Sequence, residues 1–299
     1  MHGSHPTQTL YERITSKIME AMNNGAGTFK MPWHAPIAAT AFPVNASTHA
    51  PYRGINILSL WVDALTQEYP SGYWASYRQW QHLGAQVRKG ERGSLIVFYK
   101  RAEPQTDADE NSDERSGRPI FTASHVFNAA QVEGWIPDDA PHEPRFEPHE
   151  QVEAFVQAVG ARVEQGHAMA RYRLDMDCIE MPSPLWFTGT SSSTSLQSYY
   201  AVLLHELTHW SGASHRLDRE FGKRFGDEAY AMEELVAELG AAFMCSAFGL
   251  ANDPRPDHAQ YLASWLKVLG SDPKAIFAAS SRAQEATQFL FGLAEGGHH

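Results

Sequence analysis

Leu203-Leu204-His205-Glu206-Leu207-Thr208-His209-Trp210 is the stretch on which the reading of this chain turns. On a helix, residues four apart share a face, so His205 and His209 reach one divalent ion with Glu206 beside them. The apolar run before the motif, Tyr200-Ala201-Val202-Leu203-Leu204, predicts that this helix is packed into a core. Chance would supply such a histidine-glutamate-histidine spacing only ~0.05 times in a chain of this length. The chemistry it supports is metal-assisted hydrolysis. Zn²⁺, or another divalent transition metal, would polarise a carbonyl and acidify a water, and Glu206 is the candidate general base.

Such a site needs a third protein ligand, and two candidates compete. His215 stands six residues beyond His209 with Gly212 between, a spacing that fits a three-histidine site. Glu234 and Glu238 lie one turn apart on the helix expected over Tyr230–Gly240, where the first would ligate and the second orient a ligating histidine. Glu234 is the stronger candidate, because the apolar neighbours Leu235, Val236, Leu239 and Phe243 bury that helix, and buried acids seldom stand unpaired. Glu233 points some 100° away from Glu234 and is expected in solvent. The segment Cys178–Pro182 is expected as the edge strand beside the cleft, able to pair with an extended peptide. Tyr200, His215 and Tyr230 are candidates for stabilising an oxyanion.

Outward from the motif, four helices are expected in succession: 195–212, 230–248, 257–269 and 273–293. A helix is expected over 150–159 and strands within 162–182. Towards the N-terminus come helices over 10–22, 54–69 and 73–83, and strands at 86–88, 94–100 and 120–128. Trp33 and Phe42 sit in a proline- and alanine-rich loop and are expected against a core. The pattern is α+β. At 299 residues, two domains are expected, 1–135 and 149–295, joined by a proline-rich linker over 136–148. Residues 102–119 are charged and apolar-poor, and 296–299 have the look of a tag remnant. No apolar run spans a bilayer, no secretory leader is visible, and two cysteines are too few for a disulfide framework, so a cytoplasmic protein is expected.

The net charge of −11 leans away from nucleic acid, but it is unevenly spread. Residues 1–101 hold ten Lys/Arg against five Asp/Glu, a net of +5; residues 102–299 hold 14 against 30, a net of −16. Single strands are bound by cationic tracks with aromatic platforms on which bases stack. The basic part offers Tyr52-Arg53, Trp74, Tyr77-Arg78, Arg88-Lys89, Arg92 and Phe98-Tyr99-Lys100. The Arg88–Arg92 turn suits phosphates, and Arg53 opens a helix beside Gly54 where a phosphate could approach. Trp61 and Trp80 read as core.

The blocks PYRGINILSLW (51–61), QVRKGERGSLIVFYK (86–100) and VFNAAQVEG (126–134) resemble the N-terminal domain of ArdC-type plasmid antirestriction proteins, a domain shared with TraC-type conjugation primases. LLHELTHWSGASHRLDR and MEELVAELGAAF resemble the zincin-like metallopeptidase domain that follows it in those proteins. The resemblance spans roughly residues 8–250. It implies sequence-independent binding of single-stranded DNA, protection of incoming plasmid DNA from host restriction, metal ligands at His205, His209 and Glu234, and Glu206 as the base. In the family a small polar residue commonly stands where this chain has His215, which weakens the three-histidine reading. Two other readings stand beside this one. The chain is a cytoplasmic zinc metallopeptidase whose N-terminal domain holds an unknown protein substrate, or a binding protein with a purely structural zinc. Retention of Glu206 speaks against the last.

Overall fold

The structure, a computed structural model, describes residues 8–25, 31–34, 42–100, 120–137, 148–190, 193–222, 227–252 and 258–296. Leu10, Ile14, Ile18 and Met22 recur every four residues, and Leu10–Gly25 forms helix α1 with the last three buried. Strand β1 is Val44–Asn45 and helix α2 is Ile55–Thr66. The single helix expected over 73–83 is instead strand β2 (Tyr73–Ala75) followed by helix α3 (Tyr77–His82). Ser76 divides them: its hydroxyl accepts from Gln79 N at 3.3 Å while Gln79 Oε1 accepts from Ser76 N at 2.9 Å, a capping box that starts the helix there.

Strands β4 (Ser94–Lys100) and β5 (Ile120–Asn128) pair antiparallel from Ser94↔Val126 to Lys100↔Ile120, in a sheet of order β1-β2-β5-β4. The charged segment 102–119 lies outside the described residues. Strand β3 (Gln86–Val87) pairs with β6 (Val132–Glu133) and not with β4. The Lys89–Gly93 turn therefore joins two sheets.

Beyond this come helix α4 (Pro148–Val159) and the three strands β7 (Val163–Gln165), β8 (Arg171–Arg173) and β9 (Cys178–Met181), ordered β7-β9-β8. Four helices complete the chain: α5 (Ser195–Ser211), α6 (Glu228–Ala247), α7 (His258–Ser271) and α8 (Ala275–Gly296). The expected α+β class and helix succession are met. Strand β9 is buried at all four positions and sits in the middle of its sheet, so the edges are β7 and β8 and not, as expected, residues 178–182.

The largest apolar cluster does not respect the halves of the chain. It joins α1, α2 and Trp33 to α6, α7 and α8. Trp61 packs on Phe243 with ring centroids 5.8 Å apart, Trp33 lies 6.3 Å from Trp265, and Thr15 Oγ1 donates to Pro273 O at 2.6 Å. Trp80 is buried as expected, under the N-terminal sheets. We therefore propose the division into 1–135 and 149–295 as one of chain segments rather than of cores. Most of the expected linker (138–147) and the final 297–299 lie outside the described residues. Among the described residues, no helix is long and apolar enough to cross a membrane.

Candidate metal centre

Helices α5 and α6 meet at one point of unusual closeness. A Cβ added at Gly240 would stand 2.6 Å from Thr208 Cγ2 and 2.7 Å from its Oγ1. Only glycine lets the helices approach this far, and the approach sets the acids of α6 against the histidines of α5. Gly240→Ala is expected to destabilise the protein by about 1–3 kcal/mol through overpacking, more than the ~1 kcal/mol that alanine gains in helix propensity. Adding Thr208→Ala leaves only the Cβ, 3.3 Å away, and urea unfolding should show most of the loss recovered.

At the crossing, His205, His209 and Glu234 are all buried and turn one ligand atom each towards a common point. Their Nε2 atoms are 3.2 Å apart, His205 Nε2 lies 3.7 Å from Glu234 Oε2, and His209 Nε2 lies 3.6 Å from Glu234 Oε1. A tetrahedral ion with ligands at roughly 2.0–2.1 Å sets its donors about 3.3–3.4 Å apart, so the two imidazole nitrogens and the Glu234 carboxylate lie near the spacing of one ion. Four glutamates, Glu206, Glu233, Glu234 and Glu238, are each no more than 8% exposed. That buried acidic excess favours a cation.

Each imidazole also has a carboxylate behind it. Glu238 Oε2 lies 3.6 Å from His205 Nδ1. Glu233 corrects that reading: it is 4% exposed, and its Oε1 lies 3.1 Å from His209 Nδ1. Arg219 clamps it, donating from Nε to Glu233 Oε2 at 3.0 Å and from a terminal nitrogen to Oε1 at 2.9 Å. Burial opposes ionisation of Glu233, yet the bonds to His209 and Arg219 outweigh it and hold its carboxyl below the usual range. Gly212 makes room for that arginine, since a Cβ there would stand 2.7 Å from the guanidinium. The glycine thus serves Arg219, not a turn that delivers His215. His215 is exposed instead, 3.4 Å from Asp177, and lies outside the group that fits an ion.

A cleft of about 220 Å³ opens over the centre, lined in part by Glu206, Tyr172, Phe221, Tyr230 and Tyr261. Glu206 Oε2 accepts a hydrogen bond from Tyr172 N at 2.8 Å, so strand β8 fixes the direction of the carboxylate. Of the oxyanion candidates, Tyr230 lines the cleft, with its hydroxyl 3.3 Å from that of Tyr261, and burial pushes its pKa up. Tyr200 donates to Glu153 at 2.7 Å and is not among the residues lining the cleft.

In the basic part, Arg53, Arg78, Arg88, Lys89 and Arg92 are exposed, and Lys100 ends strand β4. Arg88 is partly committed, to Glu91 at 2.8 Å and Ala130 O at 2.6 Å. Two aromatic candidates are corrected. Trp74 is 1% exposed and Tyr52 9%, its hydroxyl tied to Asn45 and Trp74 O, so neither offers a face to a base. The phosphate approach at Gly54 is also taken: its N–H donates to Gln284 Oε1 at 3.3 Å. Among the described residues, Tyr77 (42% exposed) and Phe98 (50%) keep open rings in the basic part, and Tyr77 stands beside Arg88 and Lys89 in a groove of about 560 Å³. Gln86 Nε2 donates to the Tyr77 hydroxyl at 3.0 Å and holds the ring in place.

Two histidines and a glutamate converging from crossed helices, with a second glutamate at the cleft, are the arrangement of a zincin-like domain. Residues 150–282 match the family of zincin-like metallopeptidases, and residues 8–127 match the N-terminal domain of anti-restriction factor ArdC. The chain belongs to the ArdC-type antirestriction protein family. The crystal structure of the metal-free antirestriction protein ArdC from plasmid R388 superposes with a TM-score of 0.78 at 34% identity, covering 97% of this chain and 99% of that one. Its Mn(II)-bound form gives 0.75 at 32% identity, over 96% and 98%. The uncharacterised protein y4eC of Sinorhizobium fredii (strain NBRC 101917 / NGR234) is 45% identical over 94% of this chain and 91% of its own length. DNA primase TraC of Escherichia coli is 33% identical over 95% of this chain, which spans only 27% of that primase.

Proposed function

We propose that the protein binds single-stranded DNA without regard to sequence, shields incoming plasmid DNA from host restriction in the recipient's cytoplasm, and carries a zinc-dependent peptidase-type centre. The three donors converging on one point between α5 and α6 are the observation that carries the metal reading. His205, His209 and Glu234 would hold the ion, with Zn²⁺ favoured by the two-imidazole, one-carboxylate donor set. When bound, it supplies Lewis-acid polarisation and an acidified water. Glu206 takes a proton at its carboxylate and returns it to the leaving group. The Tyr172 N–H keeps that carboxylate aimed. Beyond the Tyr172 N–H that Glu206 takes, the edge of β8 beside the cleft is where an extended peptide would lie, and the Tyr230 hydroxyl is a donor for developing negative charge.

For DNA, Tyr77 supplies the stacking face, and Arg78, Lys89 and Arg92 the phosphate contacts. In fluorescence anisotropy with a labelled oligonucleotide, Tyr77→Ala should lose about 1–3 kcal/mol, roughly 5- to 150-fold in affinity. Lys89→Ala with Arg92→Ala should flatten the slope of log affinity against log salt by about 1.4. Unlabelled duplex should compete poorly. Salt-independent binding, or none, would instead favour a peptidase whose basic part holds a protein substrate.

A further inference from the structure

Behind the metal centre, a contact reaches back across the whole chain. His34 Nε2 lies 2.6 Å from Glu238 Oε1, and Trp33 Nε1 donates to the same oxygen at 3.2 Å. The other oxygen of Glu238 faces His205 Nδ1 at 3.6 Å. His34 and Glu238 are 3% and 2% exposed, so the contact is shielded from water. The backbone decides which ring nitrogen carries the proton. Met31 N–H donates to His34 Nδ1 at 3.1 Å, so Nδ1 is the acceptor and the proton of the neutral ring sits on Nε2, aimed at Glu238.

We propose that His34 is a positioning residue of the metal centre: through its Nε2–H it holds Glu238, which in turn holds the ring of His205. The proposal rests on the reading of His205, His209 and Glu234 as the ligand set. Glu238 has two oxygens and two tasks. With Oε1 engaged by His34 and Trp33, its rotation is fixed, and Oε2 is left facing His205. Freed from His34, the carboxylate can turn, and the imidazole loses both its orientation and the basicity that a carboxylate partner lends. The 3₁₀ turn Pro32–His34 is itself seated on the shared core, with Trp33 against Trp265, so the N-terminal segment supplies part of the metal centre's frame.

Two amide substitutions separate the ring's two nitrogens. His34→Asn keeps an acceptor for Met31 N–H but falls short of Glu238; His34→Gln keeps a donor where Nε2 stood. Calorimetric titration of the metal-free, full-length protein with Zn²⁺ should show affinity reduced about 10- to 100-fold in His34→Asn, and within a few-fold of wild type in His34→Gln. In a Glu238→Gln background, His34→Asn should add little, because the group through which it acts is already altered. Wild-type affinity in His34→Asn would overturn the proposal, as would equal losses in both amide variants or full additivity with Glu238→Gln. If the wild-type chain itself takes up no ion, the reading of the ligand set fails, a result distinct from any of these.

Discussion

Glu234→Ala removes stoichiometric binding of Zn²⁺ from the full-length protein, and with it the thermal stabilisation that the ion confers. The expected loss of affinity is well above the 10- to 100-fold that follows from removing a group behind a ligand, because here a direct donor goes. A ligand present at 100 times its Kd stabilises the native state by about 2.7 kcal/mol, which for a chain of this size raises Tm by about 5 °C. Wild type should show that rise on adding Zn²⁺ or Mn²⁺, and Glu234→Ala none. In metal-free buffer the order changes. Glu206, Glu233, Glu234 and Glu238 are crowded together and buried, so deleting one carboxylate relieves repulsion. The variant should then melt no lower than the metal-free wild type. A retained metal shift would mean that Glu234 is not a ligand, and His215 would return as the candidate.

Glu206→Gln separates the chemistry from the metal. The substitution keeps the size of the side chain and an acceptor for the Tyr172 N–H, so calorimetry should find metal and oligonucleotide binding as in wild type. Metal-dependent cleavage of an unfolded protein such as casein should fall by about 10²- to 10⁴-fold, the usual worth of a positioned general base. Cleavage at the wild-type rate would remove Glu206 from that role. The same variant asks whether DNA protection needs proteolysis. Full protection of transferred plasmid DNA by Glu206→Gln would support masking of the entering strand as sufficient; lost protection would tie it to the peptidase-type centre. Point substitution suits this question better than truncation near residue 147, which would strip α6, α7 and α8 from the helices α1 and α2 that they cover.

The grouping of the candidate ligands was legible in the sequence because it is local. Four-residue spacing places His205 and His209 on one face, and the next acidic, apolar helix supplies Glu234 and Glu238 by the same periodicity. Glu233 was misread for an instructive reason. Helical periodicity gives its direction relative to Glu234, but not that Arg219, folding back beyond Gly212, waits on that side. His34 could not be found by pattern at all, since its partner lies 204 residues away. Among the aromatics, Tyr52 and Tyr77 each directly precede an arginine and Trp74 lies four residues before one. Only the packing of α2 and the sheets tells which rings turn inward. Strand order is likewise non-local, which is why the edge was assigned to 178–182 when the edges are β7 and β8.

Trp61 against Phe243 and Trp33 against Trp265 also set a rule for gene exchange. A crossover in the proline-rich segment would join the early helices of one parent to the late helices of another. The rings would then meet partners of the wrong shape, at about 1–3 kcal/mol for each misfit, in a fold whose whole margin is about 5–15 kcal/mol. Chimeras of that kind are expected to lose about 2–6 kcal/mol of that margin unless their parents agree at these positions. The two halves are therefore expected to be inherited together, because each carries part of the other's core.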